Sequence, residues 1–212
     1  MSNFNDLEYQ EFWNERYKSQ QFAYGTEPNT FFKNCIDQLT PKSILLPADG
    51  EGRNGVYAAS LGWKVVSTDL SVEGKNKALQ LAIEKDTSLE YIVGDIEQCN
   101  FPKESFDSIG LIYAHFSPDK ITTIHQKLND WLKPKGSIIF EAYSKTHLPF
   151  RENNPKIGGP QSLDMLFSVE EIKRDFPNFD FKILEDVGIQ LNEGDFHNGT
   201  GKVIRGFGTK IK

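Results

Sequence analysis

Disulfide and zinc chemistry are excluded first, because the 212-residue chain has only two cysteines, Cys35 and Cys99, far apart and without a Cys or His at ligand spacing. They read as two buried thiols, and no metal site is expected. Long apolar runs are also missing. The longest, such as Ile109 to Ala114 and Ser137 to Phe140, fall far short of a membrane span, so no membrane partner is expected. The N-terminal MSNFNDLEYQEF is acidic and aromatic without the apolar centre of a signal peptide, which predicts a cytoplasmic protein. Positive charge is scarce: 24 Lys and Arg against 30 Asp and Glu leave a net charge of −6, and the basic residues do not cluster. Such a surface repels phosphate at long range, so nucleic acid is not an expected partner. Pro and Gly are scattered, and there is no repeat or low-complexity tract, which argues against disorder. What remains, 38% apolar and 12% aromatic over 212 residues, suits one domain with a full core.

The pattern changes along the chain. Up to about residue 40 it reads as a helical, aromatic cap, with Phe4, Leu7, Phe12, Trp13 and Tyr17 roughly spaced for one face, broken at Gly25-Thr26-Glu27-Pro28-Asn29. Short apolar runs then alternate with amphipathic ones, predicting strands near 43–48, 64–69, 89–93, 107–113 and 136–142 and helices over 53–62, 71–86 and 119–132. Residues 144–166 hold three prolines and two glycines without periodicity and read as a binding loop. A helix follows at 168–175, with Ser168 as N-cap and Glu171 at the capping-box position. Two alternating runs, 179–191 and 200–211, pair most simply as an antiparallel hairpin. The fold class is therefore α/β: a doubly wound, mostly parallel seven-stranded sheet with helices on both faces, a helical cap and a terminal hairpin. Residues 1–212 read as one unit, with a cap over 1–40, a cofactor-binding core over 41–143, and a loop, helix and hairpin over 144–212 that face the substrate.

Three elements carry chemistry. Ala48-Asp49-Gly50-Glu51-Gly52-Arg53 sits where the first strand turns into a helix, where glycines let backbone approach a ligand and the helix start offers free N–H groups. Gly50, Gly52 and Gly55 also satisfy the dinucleotide fingerprint G-x-G-x-x-G, weak evidence by itself. Asp69, followed by Leu70, ends the second strand, where a carboxylate can accept both hydrogens of a ribose diol. Gly94-Asp95-Ile96 ends the third, where the acid can accept from an adenine amino group and the isoleucine can cover the ring. Dinucleotide enzymes have no particular need of an acid there.

Together with further elements along the chain, these resemble a known family. Trp13-Asn14-Glu15-Arg16-Tyr17, Tyr24-Gly25-Thr26-Glu27-Pro28-Asn29, Gly50-Glu51-Gly52-Arg53-Asn54, Asp69-Leu70-Ser71, Gly94-Asp95 and Leu132-Lys133-Pro134-Lys135-Gly136 are similar to those of class I S-adenosylmethionine-dependent methyltransferases. The nearest branch is the small bacterial one that includes tellurite-resistance and thiopurine methyltransferases. The 158–160 loop, the 167–171 helix start and Glu193-Gly194…His197…Gly199 extend the likeness over nearly the whole chain. The resemblance implies that Gly50, Gly52, Asp69 and Asp95 bind S-adenosylmethionine, with Ala48, Asp49, Leu70 and Gly94 beside them. Ile96 would pack on adenine, and Trp13, Tyr17 and Tyr24 would close over the methionine end. It also implies a small-molecule acceptor: a thiol, or a selenium or tellurium oxyanion. One departure stands out. Relatives commonly carry an acid and a Gly where this chain has Leu46 and Ala48, and Asp49 could substitute by reaching from the turn.

Methyl transfer from a sulfonium needs alignment and exclusion of water rather than a triad. Tyr113 and His115, and Glu141 and Tyr143, fall at the carboxyl ends of the fourth and fifth strands. These ends make Tyr113 a catalytic candidate that also touches the cofactor, His115 a catalytic base or a hydrogen-bonder, and place His115, Glu141 and Tyr143 at the substrate. Arg53 reads either as a contact to the cofactor carboxylate or as a solvated helix residue. His197, four residues after Glu193, reads as part of a turn rather than a metal pair. Two rivals stay open: an NAD-dependent oxidoreductase, from the glycine fingerprint, and a non-catalytic adenosyl-binding module, from Leu46 and Ala48.

Overall fold

The structure, a computed structural model, describes residues 6–212; Phe4 of the expected apolar face lies outside the described residues. Strands β1 (Ser43–Pro47), β2 (Lys64–Asp69), β3 (Glu90–Val93), β4 (Phe106–Ile112), β5 (Leu132–Tyr143), β6 (Phe179–Glu193) and β7 (His197–Lys210) form a seven-stranded sheet in the order β3-β2-β1-β4-β5-β7-β6. The first five run parallel, and β7 enters antiparallel between β5 and β6. The helices are α1 (Asp6–Tyr17), α2 (Thr30–Ile36), α3 (Arg53–Ser60), α4 (Val72–Glu84), α5 (Ile121–Trp131), α6 (Leu148–Asn153) and α7 (Val169–Asp175).

Both faces of the sheet are buried, which is why its central strands read as unbroken apolar runs rather than alternating ones. Successive side chains of a strand point to opposite faces. Leu45 of β1 accordingly joins a core with Leu128 of α5 and Phe176 at the end of α7, while Ile44 and Leu46 join a second core with Phe32 of α2 and Ala58 of α3. Leu46 is 1% exposed. The position that holds an acid in the resembling family is thus an apolar core position here.

The expected elements are present with shifted ends. Gly62 follows the α3 helix instead of ending it, and β5 starts at Leu132, which pairs with Phe106 before Lys133-Pro134-Lys135-Gly136 bulges out of register, Lys135 at φ 65°. Ser168 caps α7 and Glu171 closes the capping box. The expected loop over 144–166 is instead built of α6 and short 3-10 turns at 145–147, 155–157 and 163–165, too brief to carry a helical period in sequence. The hairpin strands reach Glu193 and His197, so its turn is Gly194-Asp195-Phe196. In α1, Leu7 and Phe12 are 68% and 48% exposed and do not share the buried side of Tyr17, because packing against α4 selects a narrower stripe than the spacing suggested. Both cysteines are free, Cys35 buried and Cys99 half-buried. No described helix is long and apolar enough to cross a membrane.

Candidate functional site

The chain leaves β1 for one side of the sheet and β4 for the other, which opens a crevice at the carboxyl ends of the strands. The structure has a cavity of about 420 Å³ there. Of the residues expected to bind cofactor or substrate, Trp13, Tyr17, Tyr24, Ala48, Asp49, Gly50, Arg53, Asp69, Leu70, Gly94, Asp95, Ile96, Tyr113, His115 and Tyr143 line it; Gly52 and Glu141 do not.

The turn after β1 is tight. Ala48 and Gly50 both have left-handed φ, 53° and 55°, and for alanine that conformation costs of the order of 1 kcal/mol. A Cβ on Gly50 would stand 2.6 Å from the Tyr17 hydroxyl, so the turn admits the cap's aromatic edge only because it is glycine. Gly52, φ 80°, is the N-cap of α3, and a Cβ there would collide with Ala78 of α4. Its job is helix packing. Gly52→Ala should therefore destabilise the fold by about 2–4 kcal/mol, combining overpacking with backbone strain; urea unfolding would measure it, and a change under 1 kcal/mol would refute this account.

Asp69 is 8% exposed. One oxygen accepts from the Gly50 amide and the other from the Ser71 amide, each at 2.9 Å, which joins the tip of β2 to the glycine turn. Burial raises its pKa to about 6 against the pull of those amides. Asp95 accepts from the Glu97 amide and pairs with Lys120 at 2.9 Å. Asp49 accepts from Ser67 at 2.7 Å through one oxygen, while its other oxygen is buried without a partner. Burial takes it to about 7. The Thr68 hydroxyl is likewise buried and unpartnered, and Thr68 also lines the cavity.

The cap is held over this edge by polar ties. Asn14 accepts from the Ser71 hydroxyl and the Val72 amide, and Gln10 donates to Leu70 O. Glu51, paired with buried Lys77, accepts from the Ala23 amide. Trp13 and Tyr17 stack at 5.5 Å, and Tyr24 meets Tyr17 edge-on.

Across the cavity the expected roles change. His115 has its Nδ1 2.8 Å from Met165 O, which requires a proton on Nδ1, and its Nε2 accepts from the Tyr143 amide. Burial lowers its pKa to about 4. Both ring nitrogens are occupied and the ring is a weak base, so this histidine braces the strand ends. Glu141, expected at the substrate, is a buried hub instead: it accepts from Asn29, Tyr113 and Arg205 at 2.7, 3.1 and 2.6 Å. Arg53, far from solvated, is 8% exposed and pairs with Glu193 at 2.9 Å.

His197 is the residue that sequence reasoning assigned to the turn alone. Glu193 and His197 face each other across the hairpin, His197 Nδ1 donates to Glu193 Oε2 at 3.0 Å, and the ring lines the cavity 4.5 Å from Tyr113. Burial raises Glu193, but His197 and Arg53 outweigh it and bring its pKa down to about 2. His197 itself is lowered, burial exceeding the help from Glu193. The hairpin placement expected for it holds, and its four-residue separation from Glu193 is the sequence signal for the pair; that the ring also reaches the cavity depends on tertiary neighbours. Among the described residues no cluster of His, Cys, Asp or Glu is placed to hold a metal.

Comparison with known proteins bears on this site. Residues 44–136 match a family model described as a methyltransferase domain. Phosphoethanolamine N-methyltransferase 3 of Arabidopsis thaliana is 30% identical over 129 residues, 58% of this chain and 25% of that protein. Its counterpart from Triticum aestivum is 28% identical over 58% and 24%. The chain thus spans about a quarter of these relatives' length. TehB from Haemophilus influenzae superposes with a TM-score of 0.70 at 16% identity, over 95% of this chain and 66% of that one. A SAM-dependent methyltransferase from Methanosarcina mazei gives 0.62 at 15% identity, over 87% and 99%.

Proposed function

We propose that this chain, which carries a class I S-adenosylmethionine-dependent methyltransferase domain, transfers the methyl group of S-adenosylmethionine to a small molecule bound against Tyr113, Tyr143 and His197. The observation that carries the reading is one cavity in which the Ala48–Gly50 turn, Asp69 and Gly94-Asp95-Ile96 converge beneath an aromatic cap. The residues fit the cofactor. Asp69 is set to take the ribose diol, Asp95 and Ile96 the adenine, and Trp13, Tyr17 and Tyr24 the methionine end. The unpartnered oxygens of Asp49 and Thr68 supply acceptors for donors on a cationic ligand. Asp49 thereby stands in for the acid missing at position 46.

When bound, S-adenosylmethionine supplies a methyl group on an already activated leaving group. The protein's own work is to orient the acceptor, exclude water beneath the cap and manage a proton. Because His197 keeps its proton on Nδ1, donated in the hydrogen bond to Glu193, Nε2 is left with a lone pair and can remove a proton from the attacking atom. The acceptor is a thiol or a selenium or tellurium oxyanion by resemblance, and the chain acts as one unit in the cytoplasm. His197→Ala should lower kcat roughly 10²- to 10³-fold while cofactor affinity stays within a few-fold. Because protonation disables this base, activity should fall on the acid side of neutrality in the parent and less so in the variant.

Calorimetry with S-adenosylmethionine and NADH, followed by transfer of labelled methyl to a panel of thiols, selenite and tellurite, tests the reading. Micromolar S-adenosylmethionine binding with turnover is expected. Preference for NADH would select the oxidoreductase, and binding without turnover the non-catalytic module.

A further inference from the structure

The charges that line the cavity are segregated. Its carboxylates, Asp49, Glu51, Asp69 and Asp95, all stand at or just beyond the ends of β1, β2 and β3. The opposite wall, made by Tyr143, the 151–165 segment and the hairpin tip, contributes no acidic side chain. The two carboxylates behind it are already engaged, Glu141 by Arg205 and Glu193 by Arg53 and His197.

Into that wall α6 brings Arg151, half-buried. Its Nε donates to Gly159 O at 2.7 Å, which fixes the guanidinium at the 158–160 turn, and no described carboxylate lies within ion-pair distance of it. A second cation, Arg16, lies flat over Phe196 at 3.8 Å on the cap side and donates to the Tyr24 hydroxyl. In a chain of net charge −6 this end of the cavity is locally positive. A guanidinium with one edge fixed and the other open matches the geometry of a carboxylate or another oxyanion. In a half-enclosed, aromatic-lined space that attraction is only weakly screened, and a cationic acceptor would meet repulsion from the same charge.

We propose that Arg151 binds an anionic group of the methyl acceptor, so that the substrates are small anions rather than neutral or cationic molecules. The inference rests on the methyl-transfer reading above and names the substrate class for it. The step is the same displacement: the acceptor's lone pair forms the bond to the methyl carbon, the carbon–sulfur bond breaks with its electron pair going to sulfur, and any acceptor proton passes to His197.

Three thiols of matched size separate the charges: mercaptoacetate, mercaptoethanol and cysteamine. Each is titrated calorimetrically into protein saturated with S-adenosylhomocysteine. Mercaptoacetate should bind roughly ten- to a hundredfold more tightly than mercaptoethanol, the worth of one charge-assisted contact, with cysteamine weakest. Arg151→Gln should erase that margin and Arg151→Lys should keep much of it. Equal binding of the three thiols, no binding of mercaptoacetate, or a margin unchanged in Arg151→Gln would overturn the assignment while leaving methyl transfer standing. So would loss of S-adenosylhomocysteine binding in Arg151→Gln, which would make the residue structural. Failure of the parent protein to bind S-adenosylhomocysteine would instead overturn the methyl-transfer reading itself.

Discussion

Asp69→Ala should weaken S-adenosylmethionine binding by roughly 10²- to 10⁴-fold, the loss of two hydrogen bonds to a charged acceptor at about 1.5–3 kcal/mol each. The carboxylate is positioned by the Gly50 and Ser71 amides, so a diol reaching it meets a fixed partner. The fold should survive, because the substitution also removes a carboxylate whose burial opposes folding. The proton adds a second test. With a pKa of about 6 in the free protein, Asp69 is largely ionised above neutrality and largely protonated at pH 5. A diol donates to the ionised form, so binding should release a proton near pH 6, and affinity should fall as the pH drops through that value. Calorimetry across the range, in buffers of different ionisation heat, measures both. Undiminished binding by the alanine variant would remove Asp69 from the site.

The second large effect concerns Asp49 and is one of stability. Its pKa stands at about 7 against an ordinary 3.8. Between those values the folded chain keeps a proton that the unfolded chain has released, so raising the pH through this window favours unfolding, by about 4 kcal/mol in total. Asp49→Asn removes the titration and keeps an acceptor for Ser67. The variant should therefore gain on the parent steadily from about pH 4 to about pH 7, with the advantage levelling off above that. Other buried groups titrate in the opposite sense, His115 at about 4 among them, so the comparison is between variant and parent at each pH rather than along either curve. Urea unfolding at several pH values provides it. A difference independent of pH would mean that Asp49 is ionised in the folded protein throughout.

The glycine turn and the acids at the tips of the second and third strands were legible as residues that gather at one edge of the sheet. A strand that ends in glycines, a carboxylate at the tip of the next and a Gly-Asp-Ile at the tip of the third are local features whose consequences depend on backbone geometry, and parallel topology carries strand ends to one edge. Gly52 shows the limit. Its left-handed φ follows from the turn, but whether it faces a ligand or a neighbouring helix depends on where Ala78 lies, 26 positions away.

The opposite wall of the cavity was legible as a region, but the partners of its side chains were not. His115 and Glu141 occupy strand ends as expected, yet the partners that turn them into a brace and a hub, Met165, Arg205 and Asn29, come from remote segments. Arg151 carried no motif and His197 lay in an element read as a turn, and only the packing of the hairpin tip and of α6 brings them to the cavity.

The sequence by itself determined the class of fold, the cofactor and which residues gather at one edge of the sheet, because periodicity and glycine placement act within a few residues of chain. Which side chains of the later segments line the cavity, which carboxylates are already paired and where positive charge is left over were decided only by tertiary structure. Those properties belong to contacts between segments, and a buried charge takes its character from neighbours that the linear order does not reveal.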